Sequence, residues 1–123
     1  MRTQDHWSKA MRLEATRTAK LNKHDDYELV IWTCIHGGAH LANVALHKLG
    51  ITEESFDLIH SNIPGLNRTV PPDAAGMLAT LKSIEDLGPR FVRGPEPIKP
   101  QDVESCLSAY SRVKAFAEKL MNG

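Results

Sequence analysis

More than twenty residues without a proline follow a pair of aspartates in DDYELVIWTCIHGGAHLANVALHKLG, residues 25–50. Asp25 and Asp26 carry side-chain acceptors suited to a helix start, and Gly50 stands where a helix closes on a left-handed residue. At about 100° per residue, Tyr27, Ile31, Cys34, Ile35, Leu41, Ala42, Ala45, Leu46 and Leu49 share one broad apolar face. His36, His40, Asn43 and His47 follow at i, i+4, i+7 and i+11, within a sector about 60° wide on the opposite side. A chain built around such a segment is expected to be all-α, with the imidazole row turned away from the interior and reachable from outside. Leu29 and Trp32 border that row, so the early turns are apolar nearly all round and predict self-association. Gly37-Gly38 in mid-helix costs about 1 kcal/mol per glycine against alanine, which predicts close approach by another helix or a local bend.

The other elements follow from periodicity and punctuation. Residues 5–22 read as a first helix with Asp5 as N-cap and Trp7, Met11, Ala15 and Thr18 as its stripe, widened by Ala10, Leu13 and Leu21. Its charges, Arg17 among them, read as a solvated basic face. A short helix is expected over Glu53 to Ile59, capped by Thr52, with Phe56 and Ile59 facing the core. Helix three spans about 72–87, with Pro72 in the first turn and a stripe of Ala74, Met77, Leu78, Leu81 and Ile84; Gly88-Pro89 stops it. RFVRGPEPIK, residues 90–99, is expected to hold no regular element. Pro100 opens helix four, whose stripe is Val103, Cys106, Leu107, Tyr110, Val113, Ala117, Leu120 and Met121. The expected architecture is one domain over residues 1–123, an antiparallel up-down four-helix bundle with an extra short helix after helix two.

Composition closes off some functions. Fifteen Lys+Arg against fifteen Asp+Glu leave no global basic field for nucleic acid. No continuous apolar run of membrane-spanning length is read, and the amphipathic start is unlike a secretory signal. Cys34 and Cys106 fall on apolar helix faces as free thiols, and the chain is placed in the cytoplasm.

The order of elements, together with DYELVIWTCIHGGAHLANVALHKLG, FDLIH (residues 56–60) and LGPRFVRG (residues 87–94), resembles HEPN domains, small all-α domains often encoded beside minimal nucleotidyltransferases. The resemblance covers residues 5–121. It implies a homodimer, a nucleotidyltransferase-like protein partner, and contact with nucleotide or RNA. Many HEPN domains are metal-independent ribonucleases with an Arg-x4–6-His signature near the start of the last long helix. Here no histidine follows His60, so Arg90 and Arg93 lack that partner, and Arg17 to His24 fits the spacing at the wrong end of the chain. The resemblance therefore implies a non-catalytic module that needs no cofactor.

The binding residues expected are His36, His40, Asn43, His47, Arg90 and Arg93, the arginines serving as anion donors. Two alternatives stand beside this. One is a divergent HEPN ribonuclease that uses a stripe histidine with Arg90 or Arg93. The other is a metal-binding bundle in which His36 and His40, one turn apart, hold a divalent ion. His47 lies about 10 Å farther along the axis than His40, so further ligands would come from Glu54, Asp57, His60 or another subunit.

Overall fold

The computed structural model of the protein describes residues 1–58 and 70–123. Among these it has four α-helices and no strand: α1 (Thr3–Lys20), α2 (Tyr27–Lys48), α3 (Pro72–Glu85) and α4 (Pro100–Asn122). A π-helical turn, Gly88–Val92, lies between α3 and α4. The helix α2 is central and packs against α1, α3, α4 and the π-turn. Thirteen of its 22 residues are buried, including Val30 and Val44 from outside the expected apolar face. By length and composition alone it could cross a membrane, but 72% of its most apolar window is covered within the molecule.

The ends of α2 follow local chemistry in part. Gly50 has φ +70°, a conformation glycine adopts without steric cost. Asp26 occupies the N-cap without a side-chain capping bond. Its carboxylate instead accepts the Asn22 backbone N–H at 2.7 Å, so the aspartates fold the α1–α2 link rather than cap the helix. Pro72 and Pro100 each open a helix, where a missing N–H is harmless. The expected stripes of α3 and α4 are buried or packed on the core as read. Cys34 and Cys106 are free and buried.

Five expectations need correction. The inward face of α1 is set by His6 and Ala10, with Trp7 and Met11 only partly buried and Ala15 and Thr18 exposed. Its N-cap is Arg2, with Asp5 inside the first turn. Arg17 is not on a solvated face: its side chain is 10% exposed, lies over the Tyr110 ring at 4.3 Å and donates to Thr33 Oγ1 at 3.3 Å. Residues 53–58 form turns rather than helix, and Phe56 is exposed; Ile59 and the remainder of that expected helix lie outside the described residues. Gly88-Pro89 does not end regular structure but starts the π-turn, which buries Phe91 against the core.

The paired glycines answer to close packing. A Cβ on Gly37 would lie 3.1 Å from Tyr110 Cε2, and one on Gly38 3.1 Å from Leu81 Cδ1. The absence of side chains there is what lets α3 and α4 approach α2.

Candidate functional site

The first turns of α1, the second half of α2 and the segment after Gly50 converge on a polar centre. The buried His6 sits between two partners. Its Nε2 lies 2.8 Å from Asp57 Oδ1 and its Nδ1 lies 2.8 Å from His40 Nδ1. His47 reaches the same carboxylate oxygen from α2, with Nε2 at 3.1 Å, and its Nδ1 is 2.7 Å from Thr52 Oγ1. The ring of His6 is 5.1 Å from that of His40 and 5.4 Å from that of His47. The Met1 ammonium also meets Asp57, at 3.1 Å from Oδ2 and 3.2 Å from Oδ1.

The proton positions follow from the acceptors. An ionised carboxylate only accepts, so His6 and His47 both present N–H at Nε2. The Nδ1 of a neutral His6 is then an acceptor, and His40 supplies N–H at its own Nδ1. The bond between the two rings holds only while His6 is neutral, and the electrostatics keep both rings from taking up a proton. Burial lowers the pKa of His6, against the bond from Asp57, which favours its charged form. Burial, then the neighbouring His6, Lys9 and His36, takes His40 down to about 4. Burial by itself would push Asp57 up; the bonds from His6, the N-terminal ammonium and His47 outweigh it and hold the carboxyl at about 2.

Asn43 fixes the segment that carries Asp57. Its Nδ2 donates to Leu58 O at 2.9 Å and to Ala39 O at 2.9 Å, while its Oδ1 accepts the Leu58 N–H at 2.7 Å. A single amide thus satisfies both backbone groups of Leu58 and holds its neighbour Asp57 over the imidazoles. Thr3 N–H donates to the Glu54 carboxylate, and Met1 N donates to Glu54 O at 2.7 Å, so the start of α1 is bound to the same segment.

The expected row along α2 is therefore divided. Asn43 is 3% exposed and the His47 side chain 1%, which overturns the expectation that the row faces outward. The polar face turns inward because partners from distant parts of the chain satisfy it. His36 is half-buried and packs on Trp32, with ring centroids 4.3 Å apart. Trp32, His36, Asp86, Pro89, Val92 and Arg93 line a cleft of about 390 Å³. The cleft brings His36 and Arg93 together, and His40, Asn43 and His47 belong to the buried centre instead. Arg90 turns to an ion pair with Glu96 and lies 4.7 Å over the Phe91 ring.

His6 is the residue that sequence reasoning missed, and Asp57 was recognised only as a supplementary ligand. One signal was available: His6, Ala10, Leu13 and Arg17 lie on one helical line, and Ala10 had been placed inward. Comparison with known proteins finds no matching family model, curated protein or solved structure.

Proposed function

We propose that this chain is a non-catalytic, HEPN-like helical module that self-associates through the Leu29–Trp32 side of α2. The observation that carries the reading is the exposure of Leu29 (53%) and Trp32 (44%) on a helix otherwise taken into the core. Two large apolar side chains beside a cleft are the form of an interface anchor. The cleft rim carries Arg93 together with Asp86, one charge of each sign, which lets the face meet its own copy across a two-fold axis. Among the described residues lining the cleft, Arg93 is the sole Lys or Arg, and Glu85 and Asp86 accompany it. A single guanidinium, beside an Asp86 that is itself paired with Lys82 at 3.0 Å, favours a protein face over a phosphate-bearing ligand.

The contacts support an antiparallel up-down bundle. Along α1 and α4, Glu14 pairs with Lys114 and Arg17 with Tyr110, so numbering runs in opposite senses. Along α2 and α4, Cys34 meets Cys106 and Gly37 meets Tyr110, so these helices run together, as alternate helices of such a bundle do. The non-catalytic reading draws on the arginine–histidine pair with HEPN-like spacing: Arg17 is engaged by Thr33 and Tyr110, while His24 is exposed in the α1–α2 link.

Light scattering coupled to size exclusion tests the reading. At high micromolar concentration the protein is expected to elute with the mass of a dimer. Trp32→Glu, which removes the anchor and places like charges opposite each other, is expected to elute as a monomer of unchanged helicity. A monomeric wild-type protein at that concentration would refute self-association.

A further inference from the structure

We infer that His6 Nε2, His47 Nε2 and the Asp57 carboxylate form a binding site for one divalent transition-metal ion, of the zinc or ferrous class. The three ligand atoms all lie within 4.8 Å of one another, and the two imidazole nitrogens already meet Asp57 Oδ1 at 2.8 and 3.1 Å. In a tetrahedral site with metal–ligand bonds of about 2.0–2.1 Å, ligand atoms stand roughly 3.3 Å apart. Each nitrogen needs to move only a few tenths of an ångström from Asp57 Oδ1 to reach that spacing, and the two nitrogens lie within 4.8 Å of each other. Two imidazoles and one carboxylate, without thiolate, suit zinc and ferrous iron and leave coordination positions for water.

The partners of the ligands fit the same role. A ligating histidine commonly donates its other ring N–H to an acceptor that fixes its orientation. Here the second nitrogen of His47 faces Thr52 Oγ1 at 2.7 Å and that of His6 faces His40 Nδ1 at 2.8 Å. To bind a metal through Nε2, His6 loses its proton there. A proton passes from His40 Nδ1 to His6 Nδ1, and one is taken up at His40 Nε2, so the exchange is proton-neutral for the pair. His40 is half-buried rather than sealed, which lets its outer nitrogen meet water. For His47 to ligate through Nε2, the proton it presents to Asp57 leaves to water and Nδ1 carries the N–H that donates to Thr52 Oγ1. The Asp57 side chain is 33% exposed, and a cleft of about 690 Å³ lined by Arg2, Thr3, His47, Thr52, Glu53 and Glu54 borders the cluster at His47. The inference is independent of self-association at Trp32, which draws on the opposite side of His36 and on other residues.

The test uses the full chain with its N-terminal amine and no histidine tag, and cobalt(II) and zinc(II) as probes. Titration is expected to give one equivalent of cobalt with visible absorption bands, displaced by zinc. Asp57→Asn and His47→Gln are expected to weaken binding at least tenfold. Thr52→Val, which keeps all three ligands, is expected to weaken it about tenfold through the lost acceptor. His24→Gln, in the exposed α1–α2 link, is expected to bind as wild type. Should a ligand variant fail to fold, ¹⁵N shifts of the wild-type imidazoles decide, because zinc must move His6 and His47 at Nε2. Folded wild-type protein that takes up neither ion, or zinc shifts confined to His24 or His36, would overturn the site.

Discussion

On acidification from pH 7 toward pH 4, the protein is expected to lose stability well before its carboxylates protonate. His6 and His40 have pKa values in the fold below the ordinary histidine value, His40 at about 4. Their unfolded counterparts take up protons near 6.5. Below that pH the unfolded chain binds more protons than the folded one, so stability falls as pH falls. The contribution is complete above 6.5 and is withdrawn down to about 4 in the case of His40. Each histidine kept neutral in the fold contributes a slope of up to about 1.4 kcal/mol per pH unit in this window. The groups around His40 act together: His6, Lys9 and His36 oppose its charge, and Asp57 favours it. Asp57, held at about 2, adds a second loss between its ordinary value of 3.8 and about 2, in the same direction. Urea midpoints measured from pH 7 to 4 check this. The wild-type midpoint is expected to fall steeply below 6.5, and His40→Gln is expected to flatten the fall. A midpoint constant from pH 7 to 5 would contradict it.

The second large effect is expected at Gly37. Its Cα faces Tyr110, which is 2% exposed and lies beneath the Arg17 guanidinium. A Cβ alone would stand 3.1 Å from the Tyr110 ring, and a leucine adds three carbons beyond it. Overpacking a close-packed core costs about 1–3 kcal/mol and sometimes more. The gain in helix propensity, about 1 kcal/mol, offsets only part. Gly37→Leu is therefore expected to lower the unfolding free energy by about 1–2 kcal/mol. Gly76 is the control: it lies within α3, exposed, and a Cβ there meets nothing within 4 Å. Gly76→Ala is expected to add about 0.5–1 kcal/mol. Chemical denaturation of the two variants checks both signs.

Much of the fold was legible because it is local. The periodic stripes of α3 and α4 identify their buried residues, prolines mark two helix starts, and Gly50 marks the end of α2. Gly37-Gly38 signalled close approach through its cost in a helix. What stayed hidden depends on partners far along the chain. A helical wheel sorts α2 into an apolar side and a polar side, and assigns the polar side to water. The structure covers that side too, because His6, Thr52, Asp57 and the Leu58 backbone meet the hydrogen-bonding groups of His40, Asn43 and His47. No periodicity within α2 encodes partners that lie in α1 or beyond Gly50. In α1, Trp7 and Met11 drew the apolar stripe one residue away from the line of His6, Ala10 and Arg17. Hydropathy alone cannot place a histidine or an arginine inward; only the acceptors it meets there can. The π-turn at Gly88 was masked by a Gly-Pro pair that ordinarily ends regular structure.

His6 and His40 are neutral and share a hydrogen bond in a buried network that Asp57 closes from the other side. Long-range ¹H–¹⁵N correlation of the imidazoles in metal-free protein at pH 7 reads this directly. The predicted result is a neutral His6 protonated at Nε2 and a neutral His40 protonated at Nδ1, with His40 unchanged on acidification to pH 5.5. Signals from either ring that average between tautomers and titrate near 6.5, as exposed histidines do, would contradict it.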